Sequence, residues 1–316
     1  MLIIIEGPDG CGKSTLARQL VEVLESENPR EKIEVLKKGP PTQHPLDEYV
    51  TPLLSYRPQR GHHIICDRWH VGEWVYPAVL DRSTLADKAV WYYTEMFLAS
   101  RGALVIYPEY TVDSLVEAVT RRGDDLVGVG QLGKIAGSYA FAAMKHTTVT
   151  TRVNGKSPES LIALARHREN MAVRLNDLTT YVGPPKPEWL LVGDVRNAVV
   201  PNDPRPAFMP HRFTSGHYLL STLSIRQLSS QVGLMNACDV DDALTAAFFT
   251  FDDPPVVPLG VNAHRAMNGA GRSYAGAPHP QFVRRFHHRH GDAYANAITR
   301  ARCGEEMIQW RPFISS

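Results

Sequence analysis

Nine residues near the start of the chain have the types and order needed to hold a polyphosphate. Gly7-Pro8-Asp9-Gly10-Cys11-Gly12-Lys13-Ser14-Thr15 fits the pattern GxxxxGK[ST]. Glycines let backbone N–H groups turn inward and form an anion nest. A helix opening near Lys13 adds the positive end of its dipole. Lys13 places a cation between β- and γ-phosphates, and the Ser14 hydroxyl is a ligand for Mg²⁺. The chemistry is binding of a nucleoside triphosphate, with ATP and Mg²⁺ as expected cofactors, and transfer of its γ-phosphoryl group.

Two further constellations suit that chemistry. Asp67 ends an apolar run and precedes Arg68. A carboxylate at the carboxyl end of a strand beside the phosphate loop can hold Mg²⁺ through water or accept the acceptor's proton, and Arg68 can bind a phosphate. The competing reading is a strand-capping Asp and a surface Arg. Arg121-Arg122-Gly123-Asp124-Asp125 follows a helical segment. Two guanidiniums on a loop there can close over phosphates and neutralise developing charge, although arginines near a helix C-terminus are also favoured by the dipole alone.

These residues need elements to position them. Leu2-Ile3-Ile4-Ile5 reads as a short buried strand, and Ser14 to Glu27 is helical, with Leu16, Leu20, Val21 and Leu24 on one face. Ile33–Leu36, His63–Cys66, Ala103–Tyr107 and Thr148–Val153 read as further strands. Leu85–Leu98, Val112–Arg121 and Gly128–Lys145 read as helices, and Ser157-Pro158 opens another with Ser157 as N-cap. Strands spaced by helices imply a parallel sheet covered on both faces. Gly183-Pro184-Pro185-Lys186-Pro187 reads as an extended linker. The expected division is a P-loop domain over 1–182 and a second, smaller α/β domain over 188–316, with strands at Trp189–Val192, Leu234–Cys238 and Val256–Leu259. Helices are expected at Ser215–Gln231, Asn262–Met267 and Asp292–Ala301. The proline-rich stretch Val199–His211 is expected to be an ordered loop over a site in that domain.

Bulk properties set outer limits. The chain has 316 residues, 43% hydrophobic and 21% charged, with net charge +1, ordinary values for a soluble globular protein. Overall charge predicts no affinity for nucleic acid, which must come from a local patch. No apolar run approaches the length of a membrane span, and residues 1–5 lack a basic leader, so neither a membrane segment nor a signal peptide is expected. Cys11, Cys66, Cys238 and Cys303 form no CxxC pair and read as reduced thiols of a cytoplasmic protein.

The segment Ile5–Thr15, with its acidic residue inside the loop, resembles the P-loop of thymidylate kinases. Asp67-Arg68-Trp69 is similar to that family's DR-aromatic motif, and Arg122-Gly123-Asp124-Asp125 with Tyr139 is similar to its lid and following helix. The resemblance covers residues 1 to about 178. It implies the nucleoside monophosphate kinase fold, with Lys13, Ser14, Asp67 and the lid arginines in ATP and Mg²⁺ work and Arg68 near the acceptor. It also implies that Asp9 contacts an acceptor sugar hydroxyl. The acceptor side departs from the family. Lys37-Lys38-Gly39-Pro40-Pro41 replaces its Arg-Glu-Pro-Gly segment, and His70-Val71-Gly72-Glu73-Trp74-Val75-Tyr76 replaces the residues after its DR motif.

Donor machinery kept and acceptor side altered resembles the thymidylate-kinase-like kinases of bacteriophages, which implies phosphorylation of 5-hydroxymethyluracil within DNA, a step in thymine hypermodification. Asp9, Arg68, Trp69, His70, Glu73, Trp74 and Tyr76 are the acceptor candidates. Trp69 or Trp74 could stack on a splayed base, or the aromatics belong to the core. The rival expectations are a kinase of free deoxynucleoside monophosphates and an NTP-gated DNA-binding module.

The second domain resembles, in short motifs, the uracil-DNA glycosylase superfamily: Gly193-Asp194 after a strand, with Arg196 and Asn197 behind, Asn236 on another strand, and His279-Pro280 late in the chain. The resemblance implies base or DNA binding. Arg284, Arg285 and Arg289, in a run with His287, His288 and His290, form the candidate phosphate-contacting patch; a solvated helix face is the alternative.

Overall fold

The computed structural model describes residues 1–59, 61–84, 87–123, 127–145, 150–153, 155–176, 178, 180–193, 206–211, 214–222, 231–237, 254–269, 275–287 and 291–304. These form two compact units. One comprises Met1–Asp87 and Arg101–Val173, the other Lys88–Ser100 and Arg174–Ser316.

The first unit holds five parallel strands: β1 (Leu2–Ile5), β2 (Lys32–Lys37), β3 (His62–Asp67), β4 (Leu104–Tyr107) and β5 (Thr150–Arg152). They lie in the order β2-β3-β1-β4-β5, the covered α/β sheet that alternation predicts. All four residues of β1 are buried, as a strand covered on both faces requires. Helix α1 (Lys13–Glu27) turns Leu16, Ala17, Leu20 and Leu24 onto the sheet. There they meet Leu161, Ile162 and Ala165 of α7 (Pro158–Ala172) and Ile3, Ile5, Ile65, Leu104 and Ile106 of the strands. Ser157 caps α7 through the Ser160 amide and Pro158 stands in its first turn, as the sequence predicts.

Register decides what stands beside the phosphate loop. Ile5 pairs with Asp67 on one side and Ile106 on the other. The carboxyl ends of β1, β3 and β4 are therefore level, and loops that leave them share one crevice, where ligands of open parallel sheets bind.

Two short helices were not expected. Helix α2 (Pro45–Tyr49) is capped by His44, with proline in its first turn, and α3 (Gly72–Leu80) follows the Asp67-Arg68 corner. Neither has the long periodic stripe on which helix prediction rests. Helix α4 starts at Lys88 and ends at Ser100; Leu85 and Ala86 lie outside the described residues. Helices α5 (Val112–Arg122) and α6 (Val129–Lys145) complete the first unit.

The second unit has a smaller parallel sheet, β7-β6-β8, from β6 (Trp189–Gly193), β7 (Val232–Asn236) and β8 (Val256–Pro258). Its core joins Leu190 and Val192 to Met235, Val256 and Met267, with Leu175, Leu178 and Tyr181 from the entering chain. The Gly183–Pro187 stretch differs from the free extended linker expected of three prolines. Val182 bridges to Leu234, and the Tyr181 hydroxyl donates to the Pro184 carbonyl at 2.6 Å. A Cβ at Gly183 would stand 2.8 Å from the Gly233 Cα, so the stretch is seated on β7. Helices α8 (Ser215–Thr222), α9 (Val261–Gly269), α10 (Pro280–His287) and α11 (Gly291–Arg302) belong to this unit, as does α4. Of the expected loop Val199–His211, residues 206–211 are described; of the expected Ser215–Gln231 helix, residues 223–230 lie outside.

Candidate active site

The site grows from the end of β1. The chain turns through Gly10 at φ +89 and Gly12 at φ +86 before α1 begins. Both angles are left-handed, which glycine adopts without the Cβ penalty. A Cβ at Gly10 would also stand 3.1 Å from the Ala118 Cβ of α5. The Lys13 ammonium lies back across this loop, donating to the carbonyls of Gly7 at 2.8 Å and Pro8 at 2.6 Å. It is 5% exposed, and burial lowers its pKa because a cation loses solvation there. Burial likewise pushes the Cys11 thiol up. Ser14 and Thr15 stand exposed on the first turn of α1.

Level strands bring Asp67 to Ser14. The Ser14 hydroxyl donates to Asp67 Oδ2 at 2.6 Å. Asp67 is 4% exposed, and its buried Oδ1 has no hydrogen-bond partner among the described residues. A hydroxyl and an underused carboxylate oxygen, both hard oxygen donors beside a phosphate nest, fit Mg²⁺.

After Asp67 the backbone reverses. Arg68 sits at φ +70, with its amide donating to the Ile5 carbonyl at 3.0 Å. Glu6 holds the next residues: its Oε1 accepts from the amides of Trp69 and Val71, each at 3.0 Å. The corner aims the Arg68 guanidinium at the Asp9 carboxylate, which it meets in an ion pair. The Tyr76 hydroxyl donates to Asp9 Oδ2 at 3.1 Å. Burial and the Asp9 charge raise the Tyr76 pKa, so the phenol stays protonated.

A cavity of about 230 Å³ opens against this network. Tyr49, Trp69, Tyr76 and Leu80 supply apolar wall; Asp9, Arg68, Glu73, Arg82 and Lys38 supply charge. Lys38 pairs with Glu48 at 2.7 Å, and that contact holds the Glu48 carboxyl below its usual range.

Asp9, Arg68, Trp69, Glu73 and Tyr76, all acceptor candidates by sequence, line the cavity together. Trp69 does so from the core: it is 2% exposed, its indole N–H donates to the Tyr49 carbonyl at 3.1 Å, and its ring meets Tyr49 edge to face. His70 and Trp74 are not among the lining residues; His70 is buried beside Tyr49. Arg121 and Arg122 stand exposed at the end of α5, which closes on Gly123 at φ +69. Arg121 pairs there with Glu117 one turn back. Asp124 and Asp125 lie outside the described residues. Tyr139 is buried on α6, its ring edge to face with Tyr76.

Lys38 lines the cavity from the Lys37–Pro41 segment that the sequence placed on the acceptor side; sequence reasoning overlooked Tyr49 and Arg82 as cavity residues and Glu6 as the clamp of the corner. Only Glu6 carried a signal, a carboxylate set directly after a fully apolar strand. In the second unit, Arg285 is exposed on α10, while the Arg284 side chain and Arg289 lie outside the described residues, as do Asp194, Arg196, Asn197, His288 and His290. Asn236 ends β7, its backbone N–H donating to Thr180 Oγ1 at 3.0 Å. The His279 ring accepts from the Gln281 amide at the start of α10.

No protein-family model matches the chain, and no curated protein matches it. Solved structures do. The YorR protein from Bacillus subtilis, in complex with phosphorylated GDP, is 21% identical over 54% of this chain and 98% of its own, at a TM-score of 0.42. Deoxyadenosine kinase from M. mycoides, with dCMP and dCDP bound, is 17% identical over 54% of this chain and 99% of its own, at 0.33. Polyphosphate kinase 2 from Arthrobacter aurescens TC1 is 15% identical over 53% of this chain and 66% of its own, at 0.36. At identities this low the likeness is one of fold at most.

Proposed function

We propose that the chain is an ATP-dependent phosphotransferase, and that its acceptor is the hydroxymethyl group of 5-hydroxymethyl-deoxyuridine in DNA. The observation that carries phosphoryl transfer is the contact between Ser14 and Asp67 at the mouth of the phosphate loop. It sets the two oxygen donors that would hold Mg²⁺ within reach of the loop amides and Lys13. Bound there, Mg²⁺ would supply charge neutralisation on the β- and γ-phosphates. Lys13 exchanges the Gly7 and Pro8 carbonyls for phosphate oxygens.

The acceptor hydroxyl oxygen forms a bond to the γ-phosphorus, and the bond from that phosphorus to the β,γ-bridging oxygen breaks. ADP leaves with the electron pair. Asp67 orients the hydroxyl, whose proton departs toward its carboxylate. Arg68, Arg121 and Arg122 neutralise charge on the transferring group. An acceptor base fits the cavity beside the loop, whose aromatic walls suit a flat ring. On the second unit, Arg284, Arg285 and Arg289 are the candidate contacts to DNA phosphates.

One observation favours a second acceptor. Asp9 and Arg68 face the cavity as a carboxylate and a guanidinium, groups that match the sugar hydroxyl and the phosphate of a free deoxynucleoside monophosphate. In DNA that sugar oxygen is esterified and cannot donate.

Incubation with γ-labelled ATP and either hydroxymethyluracil-containing DNA or free thymidine monophosphate separates the two. Label on the DNA is the expected result. Label on the mononucleotide alone ends the DNA proposal, and ATP uptake without transfer to any acceptor ends the enzyme proposal.

A further inference from the structure

The wall of the acceptor cavity contains an ion pair, its carboxylate buried and its guanidinium a third exposed, that phosphoryl transfer does not use. Glu73, on the first turn of α3, is 5% exposed. Its Oε2 accepts from an Arg82 Nη at 3.1 Å, and its Oε1 accepts from the Thr84 hydroxyl at 2.7 Å. The backbone is shaped to make this pair. Helix α3 stops at Asp81, which takes φ +48, ψ +46, a left-handed conformation uncommon outside glycine. The Arg82 amide then donates back to the Pro77 carbonyl at 3.2 Å. A helix continued to residue 82 would carry it about 13 Å along the axis from residue 73. The reversal instead returns Arg82 and Thr84 to Glu73.

Neither partner is saturated. A carboxylate offers about four acceptor directions and a guanidinium five donors; Glu73 uses two among the described residues. The buried Arg82 Nε has no hydrogen-bond partner among them. Both side chains line the cavity whose other walls are Tyr49, Trp69 and Tyr76. An ion pair open to solvent on its arginine side contributes little to stability. Glu73 and Arg82 keep unused acceptor and donor directions, and both residues line the aromatic-sided cavity, the pairing that hydrogen-bond readout of a base edge requires.

We propose that Glu73 and Arg82 are specificity-determining residues that read the imide edge of a uracil-type acceptor base. Glu73 accepts from the ring N3–H and Arg82 donates to an adjacent carbonyl. This assignment rests on the nucleotide-acceptor proposal above.

The test uses the full chain with Mg²⁺ and a non-hydrolysable ATP analogue. Three bases are compared by calorimetry: 5-hydroxymethyluracil, its N3-methyl derivative and 5-hydroxymethylcytosine. Each is presented as the deoxynucleoside monophosphate and within a single-stranded oligonucleotide. A hydrogen bond to a charged group is worth enough that N3-methylation and the cytosine edge are each expected to weaken binding about 10-fold or more in at least one format. Glu73→Gln is expected to shrink the N3-methyl penalty to about 2-fold, since only a neutral contact is then lost, with binding of the ATP analogue unchanged. Arg82→Gln, a second variant, is expected to shrink the preference for the uracil over the cytosine base, and an unchanged preference overturns the Arg82 assignment. Equal binding of all three bases overturns the base-edge assignment and leaves the kinase proposal standing. Tighter binding of the cytosine base also overturns it. Uptake of the ATP analogue with binding of none of the bases, in either format, overturns both.

Discussion

Lys13 and Asp67 both meet the glycine-rich loop, one as a buried ammonium on the Gly7 and Pro8 carbonyls and one as the carboxylate against Ser14. Lys13→Ala and Asp67→Asn are each expected to lower turnover by about 10²–10³-fold, the scale seen when one group poised against transition-state charge is removed. Single-turnover transfer of label from ATP measures it, and a loss below 10-fold in both would remove them from the proposed chemistry. A different residue carries a pH dependence of stability. His63, at the start of β3, has its pKa lowered by burial, which outweighs the opposing pull of Glu31. Between the ordinary imidazole value of about 6.5 and the lowered one, the unfolded chain binds the proton more readily than the folded chain. The stabilisation is therefore complete above about pH 6.5 and is lost as pH falls through the folded value. Thermal melts from pH 7.5 downward should show that loss, and His63→Gln should reduce the slope.

At the scale of elements, the end of α3 is the feature on which the cavity wall depends. Asp81 holds a left-handed conformation at the helix C-cap. Glycine adopts it without the Cβ penalty, so Asp81→Gly should raise stability by up to about 1 kcal/mol. Asp81→Val should lower stability by about 1–2 kcal/mol and separate Arg82 from Glu73. Denaturant titration reads both, and equal midpoints for the two variants would mean that the turn is not under this constraint. Elements differ in how much of them sequence patterns disclose. Strand β1 and helix α1 were legible because a fully apolar run and a 3.6-residue stripe each reflect burial within one window. Helices α2 and α3 were not, because each is short and takes its place from partners far along the chain: Tyr49 from Trp69, and the approach to α3 from Glu6. The Gly183–Pro187 segment read as a linker because proline restricts the backbone. Its seat on β7 comes from the Val182–Leu234 bridge, which no local pattern announces.

For the molecule as a whole, ligand binding and stability are linked. Anything that binds the folded chain and not the unfolded one stabilises it by mass action. ATP with Mg²⁺ at 100 times its dissociation constant should add about 2.7 kcal/mol, a rise of roughly 5–10 °C in the unfolding of a unit this size. Scanning calorimetry with and without Mg²⁺ measures it, and Lys13→Ala should abolish most of the shift. An unchanged transition in the unsubstituted protein would place the phosphate loop outside nucleotide binding altogether. Two runs of strand and helix patterns gave the expected division into 1–182 and 188–316; the compact units divide after Val173. Helix α4 is assigned with the second unit, although its sequence lies between β3 and β4 of the first, since compactness follows contacts and not chain order.

The amino-acid order alone determined the glycine-rich loop, the strand before it and the helix after it. Each depends on torsions and periodicities within a dozen residues: glycine's freedom at positive φ, the buried strand, the amphipathic stripe. Tertiary structure decided what faces that loop. Ser14 reaches Asp67 across 53 positions because β1 and β3 pair with Ile5 level with Asp67. Lys38, Tyr49 and Arg82 enter the cavity from three separate loops and helices. Strand register and backbone reversals are set by packing summed over the whole unit, so residues that no motif joins meet only once the chain is folded.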